Sequence, residues 1–447
     1  MFLKTIGTSI LKTFTSGSVV LSALTAFLVG AIALGVPIAF AILFSGAATA
    51  QIMGGANTDP MIIAAQLLRG TDSVSMMALP YFILVGELMN RGGLTKRLID
   101  LFNVSVGRVR GGLGYVTILT TLLFGALVGS AVASTAALGA ILIPMMVNAG
   151  YDRGKAAGLV TGANIVTPIM PPSIPLIVFG ATAGVSITQL FVGSIVPAFY
   201  LTGFLCVTWY FVSRKDAVKV DVPWPGFAGF MKLVFNGFWA ILLPVMLVIG
   251  LRGGIFTATE AGVVAVVYAL FIGVVVYREL TFSLIFRALI STAKMTAVVM
   301  FLAATAQVLA YFMTISGLPR IVSGIMAPLV DSPTMLVFVI MVIVFLLGFI
   351  LDVIPTVLIL TPLIVPVLQE AGVDLVYFGI VFTLSNVLGL ITPPVGPSLN
   401  VASAVGNVKI EVVAKKVMPY LIGQIILLCL LVFVPSLVTV PLAWLAG

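Results

Sequence analysis

The sequence predicts an all-α polytopic membrane protein with inverted-topology repeats, two re-entrant hairpins and two broken helices. The first observation behind this prediction is composition: 61% of the residues are hydrophobic and 8% are charged, against roughly 45–50% and 25% in soluble domains. The 22 basic and 14 acidic side chains are too few to cover a water-soluble surface of this length. The other two observations are an internal repetition and the distribution of loop charges.

Apolar segments long enough to span a bilayer, at about 20 residues per crossing, cover most of the chain. The first segment has room for two short crossings, with Gly35 and Pro37 marking a turn. The polar stretch 213–234 divides the chain into two halves, and amphipathic stretches 94–110 and 318–330 are expected to lie flat as connecting arms. The apolar segments lie near 19–53, 75–91, 113–148, 156–181, 190–212, 235–251, 258–277, 295–315, 334–369, 376–405 and 418–445.

The two halves repeat each other. Residues 144–175 align without a gap to residues 366–397 at a constant offset of 222. Ten positions are identical, including a shared Pro-Pro and an asparagine in register, and this is hard to obtain by chance. The first members of the identical pairs are Pro144, Ala149, Gly150, Asp152, Thr161, Asn164, Ile169, Pro171, Pro172 and Pro175.

Loop charge predicts that the two halves are inverted. The turn after the first long segment carries Arg153 and Lys155, whereas the corresponding turn of the second half carries only Glu370 and Asp374. Short basic loops stay in the cytoplasm, so the first turn faces in and the second faces out. Inverted repeats of this kind are typical of secondary transporters.

Each half contains a long apolar segment that is interrupted by polar residues. Segment 113–148 is broken at 129–135, and segment 334–369 is broken at 351–356. Each is expected to be a re-entrant hairpin with its polar tip near mid-membrane, followed by a helix that a proline cluster interrupts. Proline removes a donor and clashes with the preceding turn, and lipid cannot satisfy the carbonyls left free. Such a backbone break therefore indicates a place that is buried in protein or lines a binding site.

Free carbonyls together with hydroxyl, amide and carboxylate oxygens suit a hard cation such as Na⁺, so one cation site is predicted in each repeat. Helix N-termini that point inward favour an anionic substrate. The predicted cation ligands are Ser130, Ser134, Thr135, Asn164 and Pro168 in the first repeat, and Asp352, Thr356, Asn386, Thr392 and Gly396 in the second. The predicted substrate contacts are Ser130, Pro171, Ser173, Pro394 and Ser398.

A structural explanation exists for each of these residues. Serine and threonine hydroxyls often bond to backbone or to a neighbouring helix in membranes. Asp352 is ionisable and lies deep in an apolar run, which favours a functional role, but it can instead cap the hairpin or pair with a scaffold cation. Glu87, near a helix end, is predicted to form an ion pair in the scaffold.

Other chemistry is disfavoured. The chain has no histidine, which excludes imidazole-based catalysis. Its only two cysteines both lie in apolar runs, which argues against a disulfide framework. A membrane-embedded enzyme would need clustered catalytic groups, and the acidic residues are isolated. A net charge of +8 is ordinary for a membrane protein with basic cytoplasmic loops and does not indicate nucleic acid. No cofactor is expected.

Several motifs resemble the large membrane subunit of the tripartite ATP-independent periplasmic (TRAP) transporters. The similarity covers residues 20–445. It is strongest to the subunits of sialic-acid and sugar-acid systems. The motifs are Gly35-Val36-Pro37-Ile38, Leu79-Pro80-Tyr81-Phe82, Gly86-Glu87-Leu88-Met89, Phe124-Gly125 with Gly129-Ser130-Ala131-Val132-Ala133, Pro171-Pro172-Ser173-Ile174, Phe256 with Thr259-Glu260-Ala261-Gly262, and Thr392-Pro393-Pro394-Val395-Gly396.

The resemblance implies a Na⁺-driven importer of organic acids in the bacterial inner membrane. It would work with a small four-helix membrane subunit and a periplasmic substrate-binding protein, and it would operate as an elevator, with a transport domain moving against a scaffold. The alternative is a stand-alone Na⁺-coupled dicarboxylate or citrate-type carrier. The expected divisions are an N-terminal interfacial segment 1–18, scaffold and first arm 19–112, hairpin and broken helix 113–187, scaffold with polar loop and second arm 188–333, hairpin and broken helix 334–408, and a C-terminal scaffold helix 409–447.

Overall fold

A computed structural model describes residues 22–54, 59–214, 224–393 and 395–446, and these ranges fold into twenty α-helices without a β-strand. The expected interfacial segment 1–18 and most of the polar loop lie outside the described residues. The helices are α1 Ser22–Ala33, α2 Ile38–Met53, α3 Pro60–Thr71, α4 Ala78–Arg91, α5 Leu94–Val106, α6 Gly112–Val128, α7 Ala131–Asn148, α8 Arg153–Ala163, α9 Ile174–Ala183, α10 Ile187–Ser213, α11 Gly226–Arg252, α12 Ala258–Phe271, α13 Phe282–Ile315, α14 Leu318–Val330, α15 Pro333–Leu347, α16 Val353–Glu370, α17 Leu375–Gly389, α18 Pro397–Gly406, α19 Ile410–Phe433 and α20 Ser436–Ala446.

Seven helical segments of the described chain are long and apolar enough to cross a membrane, counting α12 together with the π-helical turn that continues it to Val276, and α13 is the longest at 34 residues. The all-helical polytopic class is therefore confirmed. Helix α12 opens with a capping box, in which the Thr257 hydroxyl accepts from the backbone N–H of Glu260 and the Glu260 carboxylate accepts from that of Thr257. Such reciprocal bonds satisfy donors that the first helical turn leaves free.

The apolar segments at both ends of the described chain form two helices each, which was predicted for the first segment and not for the last. The first apolar segment forms α1 and α2, with a turn at Gly35, whose φ of 79° is left-handed. The C-terminal segment, expected as one helix, is divided into α19 and α20 because Val434 leaves the helical region and Pro435 follows it. Helix α3 was not predicted. It precedes α4 with a bend of 54° between the two, and its 12 residues are too few to span a bilayer alone.

The internal duplication extends to the backbone. Each half has a helix, an arm (α5 or α14), a hairpin, a broken helix and a long helix in the same order. Gly93 and Gly317 both open their arms in the left-handed conformation. Asp152 and Asp374, which are 222 residues apart, both cap the helix after a hairpin by accepting backbone N–H bonds at 2.7–3.0 Å. The repetition in sequence is thus a repetition in structure.

Each hairpin packs against the broken helix of its own repeat through a glycine. In the first, a Cβ on Gly125 would lie 2.8 Å from the Cα of Thr167. In the second, a Cβ on Gly348 would contact the Asn386 carbonyl and lie 3.0 Å from the Cα of Gly389. Since real Cβ atoms are not found this close to backbone, these two positions hold main chain against main chain.

The two repeats interlock through the second helix of each hairpin. Helix α7 packs against α18, and α16 packs against α9, so each hairpin covers the second half of the opposite broken helix. Helices α2, α3 and α4 pack on α13, and α12 packs on α4. Trp209 of α10 is fully buried, and its indole N–H donates to the Gly111 carbonyl at 2.7 Å, which ties α10 to the start of the first hairpin.

Candidate functional site

The tips of both hairpins border one cavity of about 450 Å³, here called the hairpin-tip cavity. Ser130 contributes from the first tip, Asp352 from the second, and Pro168 and Leu390 from the two helix breaks. The volume is within the range of small-molecule sites. The prediction from sequence that the tips and breaks come together is therefore consistent with the arrangement of the described residues.

Three helices begin at this cavity. Ser130 is the N-cap of α7, and its hydroxyl accepts from the Ala133 N–H at 3.4 Å. Asp352, 222 residues later, is the N-cap of α16 and accepts from the Val353 N–H at 2.7 Å. Ile174, the first residue of α9, also lines the cavity. Helix N-termini carry partial positive charge, which favours an anion, whereas the lining that the described residues form holds two carboxylates, Glu87 and Asp352, and no Lys or Arg.

In the first repeat, two predicted ligands carry oxygens without a hydrogen-bond partner among the described residues: the Ser134 hydroxyl and the Asn164 side-chain carbonyl. Both residues are completely buried. The Asn164 amide nitrogen donates to the Val160 carbonyl at 2.7 Å, which directs the amide and leaves its oxygen available. Thr135 differs because its hydroxyl donates to the Ala131 carbonyl at 2.7 Å. Buried oxygens without partners are uncommon and call for a ligand or water.

The first helix break is held by its own hydrogen bonds. The Ser173 hydroxyl donates to the Pro168 carbonyl and accepts from the Leu176 N–H at 3.3 Å, so Ser173 both closes the break and caps α9. Pro171 and Ser173 are buried and do not line the hairpin-tip cavity, whereas Pro168 does. Their assignment as substrate contacts stays a prediction.

In the second repeat, Asn386 is completely buried, and neither its amide nitrogen nor its oxygen has a partner in the part of the chain that the structure describes. The Thr356 hydroxyl donates to the Asp352 carbonyl at 2.9 Å, and the Thr392 hydroxyl donates to the Leu388 carbonyl at 2.8 Å. These two hydroxyls therefore keep only lone pairs for a cation. Asn386 is the least satisfied of the predicted ligands.

Two main-chain carbonyls of the second break lie beside Gly396, and that of Leu390 accepts from the Ser398 N–H at 3.1 Å. Gly396 caps α18 with φ 41°, and a Cβ there would lie 3.0 Å from the carbonyl oxygens of Leu390 and Thr392. The Ser398 hydroxyl is buried without a partner among the described residues, and this residue does not line the hairpin-tip cavity. Pro394, a predicted substrate contact, lies outside the described residues.

The donor set fits a monovalent cation better than a transition metal. No group of three or more His, Cys, Asp or Glu side chains is positioned to hold a metal within the described ranges. The unpartnered oxygens of the predicted ligands belong to neutral hydroxyl and amide groups, and Asp352 is the single carboxylate among these ligands. Oxygen ligands of this kind suit hard cations.

The scaffold side of the hairpin-tip cavity was not predicted. Glu87 and Asn90 of α4 and Met295 and Val299 of α13 form this wall. The Glu87 carboxylate accepts from Arg91 Nε at 2.8 Å and from the Ser291 hydroxyl at 2.7 Å. The predicted ion pair is thus present, but it also borders the cavity. The motif Gly86-Glu87 was visible in the sequence, yet which helix faces the tips depends on tertiary packing.

Comparison with known proteins places the chain in a family. The profile described as "Tripartite ATP-independent periplasmic transporter, DctM component" matches residues 25–437. The 2,3-diketo-L-gulonate TRAP transporter large permease of Escherichia coli is 45% identical, over 93% of this chain and 97% of its own. The sialic acid TRAP transporter large permease of Vibrio cholerae is 33% identical, over 90% of this chain and 93% of its own.

A solved structure supports the fold. The YdaH transporter of Alcanivorax borkumensis superimposes with a TM-score of 0.61 at 16% identity, covering 88% of this chain and 91% of that one. At this identity the likeness concerns the fold alone. Together, the family profile and these relatives show that the chain belongs to the DctM family of TRAP transporters and is a multi-pass inner-membrane large permease subunit.

Proposed function

We propose that this subunit imports an organic acid of the sugar-acid class and couples the import to Na⁺. The observation that carries the proposal is the set of buried, unpartnered oxygens beside both hairpin tips, at Ser134 and Asn164 in one repeat and at Asn386 in the other. Ser134 lies in the first turn of α7, Asn164 ends α8 at the first break and Asn386 lies in the last turn of α17, and both tips border one cavity of about 450 Å³. A cation in each repeat would satisfy these oxygens without a cluster of carboxylates.

The cation ligands are proposed to act in two groups. In the first repeat, Ser130, Ser134, Thr135 and Asn164 surround a cation together with the Pro168 carbonyl. In the second repeat, Asp352, Thr356, Asn386 and Thr392 do so with the backbone at Gly396. The N-cap pair Ser130 and Asp352 differs in charge, so the second site is expected to bind its cation more tightly.

The substrate is proposed to place its carboxylate at the N-termini of α7, α16 and α9. Backbone N–H groups and the helix dipoles favour an anion there, and bound Na⁺ adds positive charge next to it. The sugar-acid class is favoured because the 45% identical relative is named for 2,3-diketo-L-gulonate, and sialic acid and C4-dicarboxylates are the next candidates.

Two partners are proposed: a small membrane subunit and a periplasmic substrate-binding protein. The family description names a tripartite periplasmic system, and a relative named as a DctMQ permease, of which this chain matches 63%, is consistent with a separate small subunit here. The runner-up, a stand-alone dicarboxylate or citrate-type carrier, needs neither partner.

An elevator mechanism is proposed, in which residues 113–187 and 334–408 move as a transport domain against the remaining scaffold. The hairpin-tip cavity has walls from both parts, since Ser130 and Asp352 belong to the hairpins while Glu87 and Met295 belong to α4 and α13. A site between two such bodies changes its surroundings when one slides past the other.

Uptake into proteoliposomes tests the proposal. The chain is reconstituted with its small subunit and binding protein, and accumulation of labelled 2,3-diketo-L-gulonate, sialic acid and succinate is measured under an inward Na⁺ gradient. We expect accumulation of at least one acid that needs Na⁺ and the binding protein but not ATP. Full uptake with a proton gradient in Na⁺-free buffer contradicts the coupling, and full uptake by the purified chain alone supports the stand-alone carrier.

A further inference from the structure

A second cavity of about 450 Å³ lies between α3, α9, α13 and α16, and we call it the Arg69 cavity. Its polar lining side chains are Arg69, Ser73, Thr182, Gln307, Tyr311 and Thr314. Among all its lining residues, which belong to the described part of the chain, Arg69 alone is charged. The hairpin-tip cavity has the opposite character, with two carboxylates and no basic side chain in its lining.

The Arg69 guanidinium is free to take a ligand. No ion pair or hydrogen bond links it to any residue in ranges 22–54, 59–214, 224–393 and 395–446, and its side chain is exposed. The position of Arg69 is nevertheless fixed by packing. The next residue, Gly70, lies so close to α13 that a Cβ there would be 2.6 Å from the Cα of Ala304 and 2.8 Å from the Cβ of Gln307. The Arg69 guanidinium and the Gln307 amide therefore line the same cavity.

Both cavities lie along one face of α13. Met295 and Val299 line the hairpin-tip cavity, and Ala306 and Ala310, each 11 residues further on, line the Arg69 cavity. Eleven residues are close to three helical turns, so the two pairs share a face and lie about 17 Å apart along the axis. The hairpin helix α16 connects the cavities in the same way, with Asp352 at one and Leu358 at the other.

The two cavities are predicted to lie on opposite sides of the membrane. Helix α13 begins after Arg278 and carries Arg287 and Lys294 in its first half, whereas the segment that follows it carries one basic and one acidic residue, Arg320 and Asp331, so its Thr314 end is periplasmic by the positive-inside rule. The hairpin-tip cavity lies nearer the Arg91 end of α4, which is cytoplasmic by the same rule. The Arg69 cavity is therefore on the side from which an imported acid arrives.

We propose that the Arg69 cavity is a second binding site for a carboxylate, on the periplasmic side, with Arg69 as its cation and Gln307 and Tyr311 as its hydrogen-bonding groups. The inference rests on the proposed import of an organic acid. A guanidinium presents a fork of donors to a carboxylate, and Thr182 of α9 and Leu358 of α16 place transport-domain residues in the same wall. An acid bound there meets both bodies before it reaches the hairpin tips.

The uptake test uses the reconstituted complex with the transported acid. Arg69→Gln is expected to raise the half-saturating acid concentration about tenfold or more, the effect of losing a hydrogen bond to a charged group. Arg69→Lys, which keeps the charge, is expected to restore part of the affinity. The half-saturating Na⁺ concentration stays the same in both. Arg320→Gln is the matched control, because Arg320 is exposed on the arm α14 and does not line the cavity. Equal acid dependence in Arg69→Gln and Arg320→Gln overturns the proposal.

A binding measurement separates this proposal from the transport function. Thr314→Cys is made in a Cys206→Ser, Cys429→Ser background and labelled with a membrane-impermeant maleimide from the periplasmic side. 2,3-Diketo-L-gulonate, sialic acid or succinate should slow labelling, and Arg69→Gln should abolish the protection. Protection that depends on Arg69 supports the site even in a preparation without Na⁺-driven uptake, where only the proposed function fails. Labelling that none of the acids changes overturns the site.

Discussion

The substitution Asn386→Ala distinguishes two roles for Asn386: a ligand of a cation, or a residue that only holds helices together. In the structure neither atom of the Asn386 amide has a partner among the described residues, although the residue is fully buried. Removing it therefore breaks no hydrogen bond in Na⁺-free protein, and the relief of an unsatisfied amide, about 1–3 kcal/mol, opposes the cost of the small void. We expect the thermal stability without Na⁺ to change by less than about 1 kcal/mol.

With Na⁺ the same variant should be stabilised much less than the wild type. A lost bond to a charged group costs about 1.5–3 kcal/mol, which corresponds to a roughly 10- to 150-fold weaker Na⁺ affinity. At a Na⁺ concentration 100 times the wild-type dissociation constant, wild type gains about 2.7 kcal/mol, and a variant weakened about 30-fold gains less than about 1 kcal/mol. The assay is thermal unfolding of the purified protein in detergent across a Na⁺ titration, with choline replacing Na⁺.

The control for this titration is Thr383→Ala, one turn earlier, whose hydroxyl donates to the Gly379 carbonyl at 2.8 Å within its own helix. It should retain the wild-type response to Na⁺. Asn164→Ala should lose Na⁺ affinity as Asn386→Ala does, but it should also lose about 1 kcal/mol without Na⁺, because its amide donates to Val160. A role in helix association alone is worth about 0.6 kcal/mol. It therefore predicts that the Na⁺ midpoint of the titration shifts by no more than about threefold. A folded Asn386→Ala protein with the wild-type Na⁺ midpoint would refute the reasoning.

Three further substitutions test individual contacts of the fold. Gly86→Ala should slow transport in proteoliposomes severalfold, because a Cβ at Gly86 contacts the Leu127 carbonyl across the boundary between α4 and the first hairpin. Thr257→Ala removes the capping box of α12 and should lower stability by about 0.5–2 kcal/mol, measured by thermal unfolding in detergent. Trp209→Phe removes the bond to the Gly111 carbonyl and should lower stability by at least about 1 kcal/mol in the same assay.

Matched variants identify the cause of each effect. Gly203→Ala adds a methyl where no atom lies within 4 Å, so it should transport normally. Thr259→Ala removes a hydroxyl from the same first turn without removing the cap, and Trp224→Phe alters a tryptophan that is 52% exposed. Each should stay within about 0.5 kcal/mol of wild type. If a control is as damaging as its test variant, the assigned contact is not the cause.

The breaks in the helices could be predicted because local chemistry determines them. Gly129 adopts a left-handed φ of 65°, Asp352 caps a helix, and the proline clusters remove donors wherever they occur. These signals are contained in a few neighbouring residues, and the proline pair Pro171-Pro172 recurs as Pro393-Pro394 at the constant offset of 222. The capping box of α12 was predictable for the same reason.

The scaffold wall could not be predicted because it depends on which helices meet. Nothing local to Ser291 indicates that its hydroxyl reaches Glu87, 204 residues away. Helix α3 was missed because Gln66 and Arg69 interrupt a short apolar run below spanning length. The two breaks also differ where the repetition ends: Ser173, which is bonded within its break, aligns with Val395 at the offset of 222, whereas the hydroxyl of Ser398, three positions later, has no partner among the described residues.

The main-chain contacts at Gly125 and Gly348 have a consequence for how local opening occurs. Where side chains separate two helices, rotamer changes can loosen the contact gradually, but two touching backbones have no such intermediate. Opening a hairpin then requires the whole segment to leave its broken helix at once, as one cooperative unit. Amide hydrogens of α6 and of the turn that follows α8 should therefore show one common free energy of opening in hydrogen exchange, and α15 and α17 should form a second such pair.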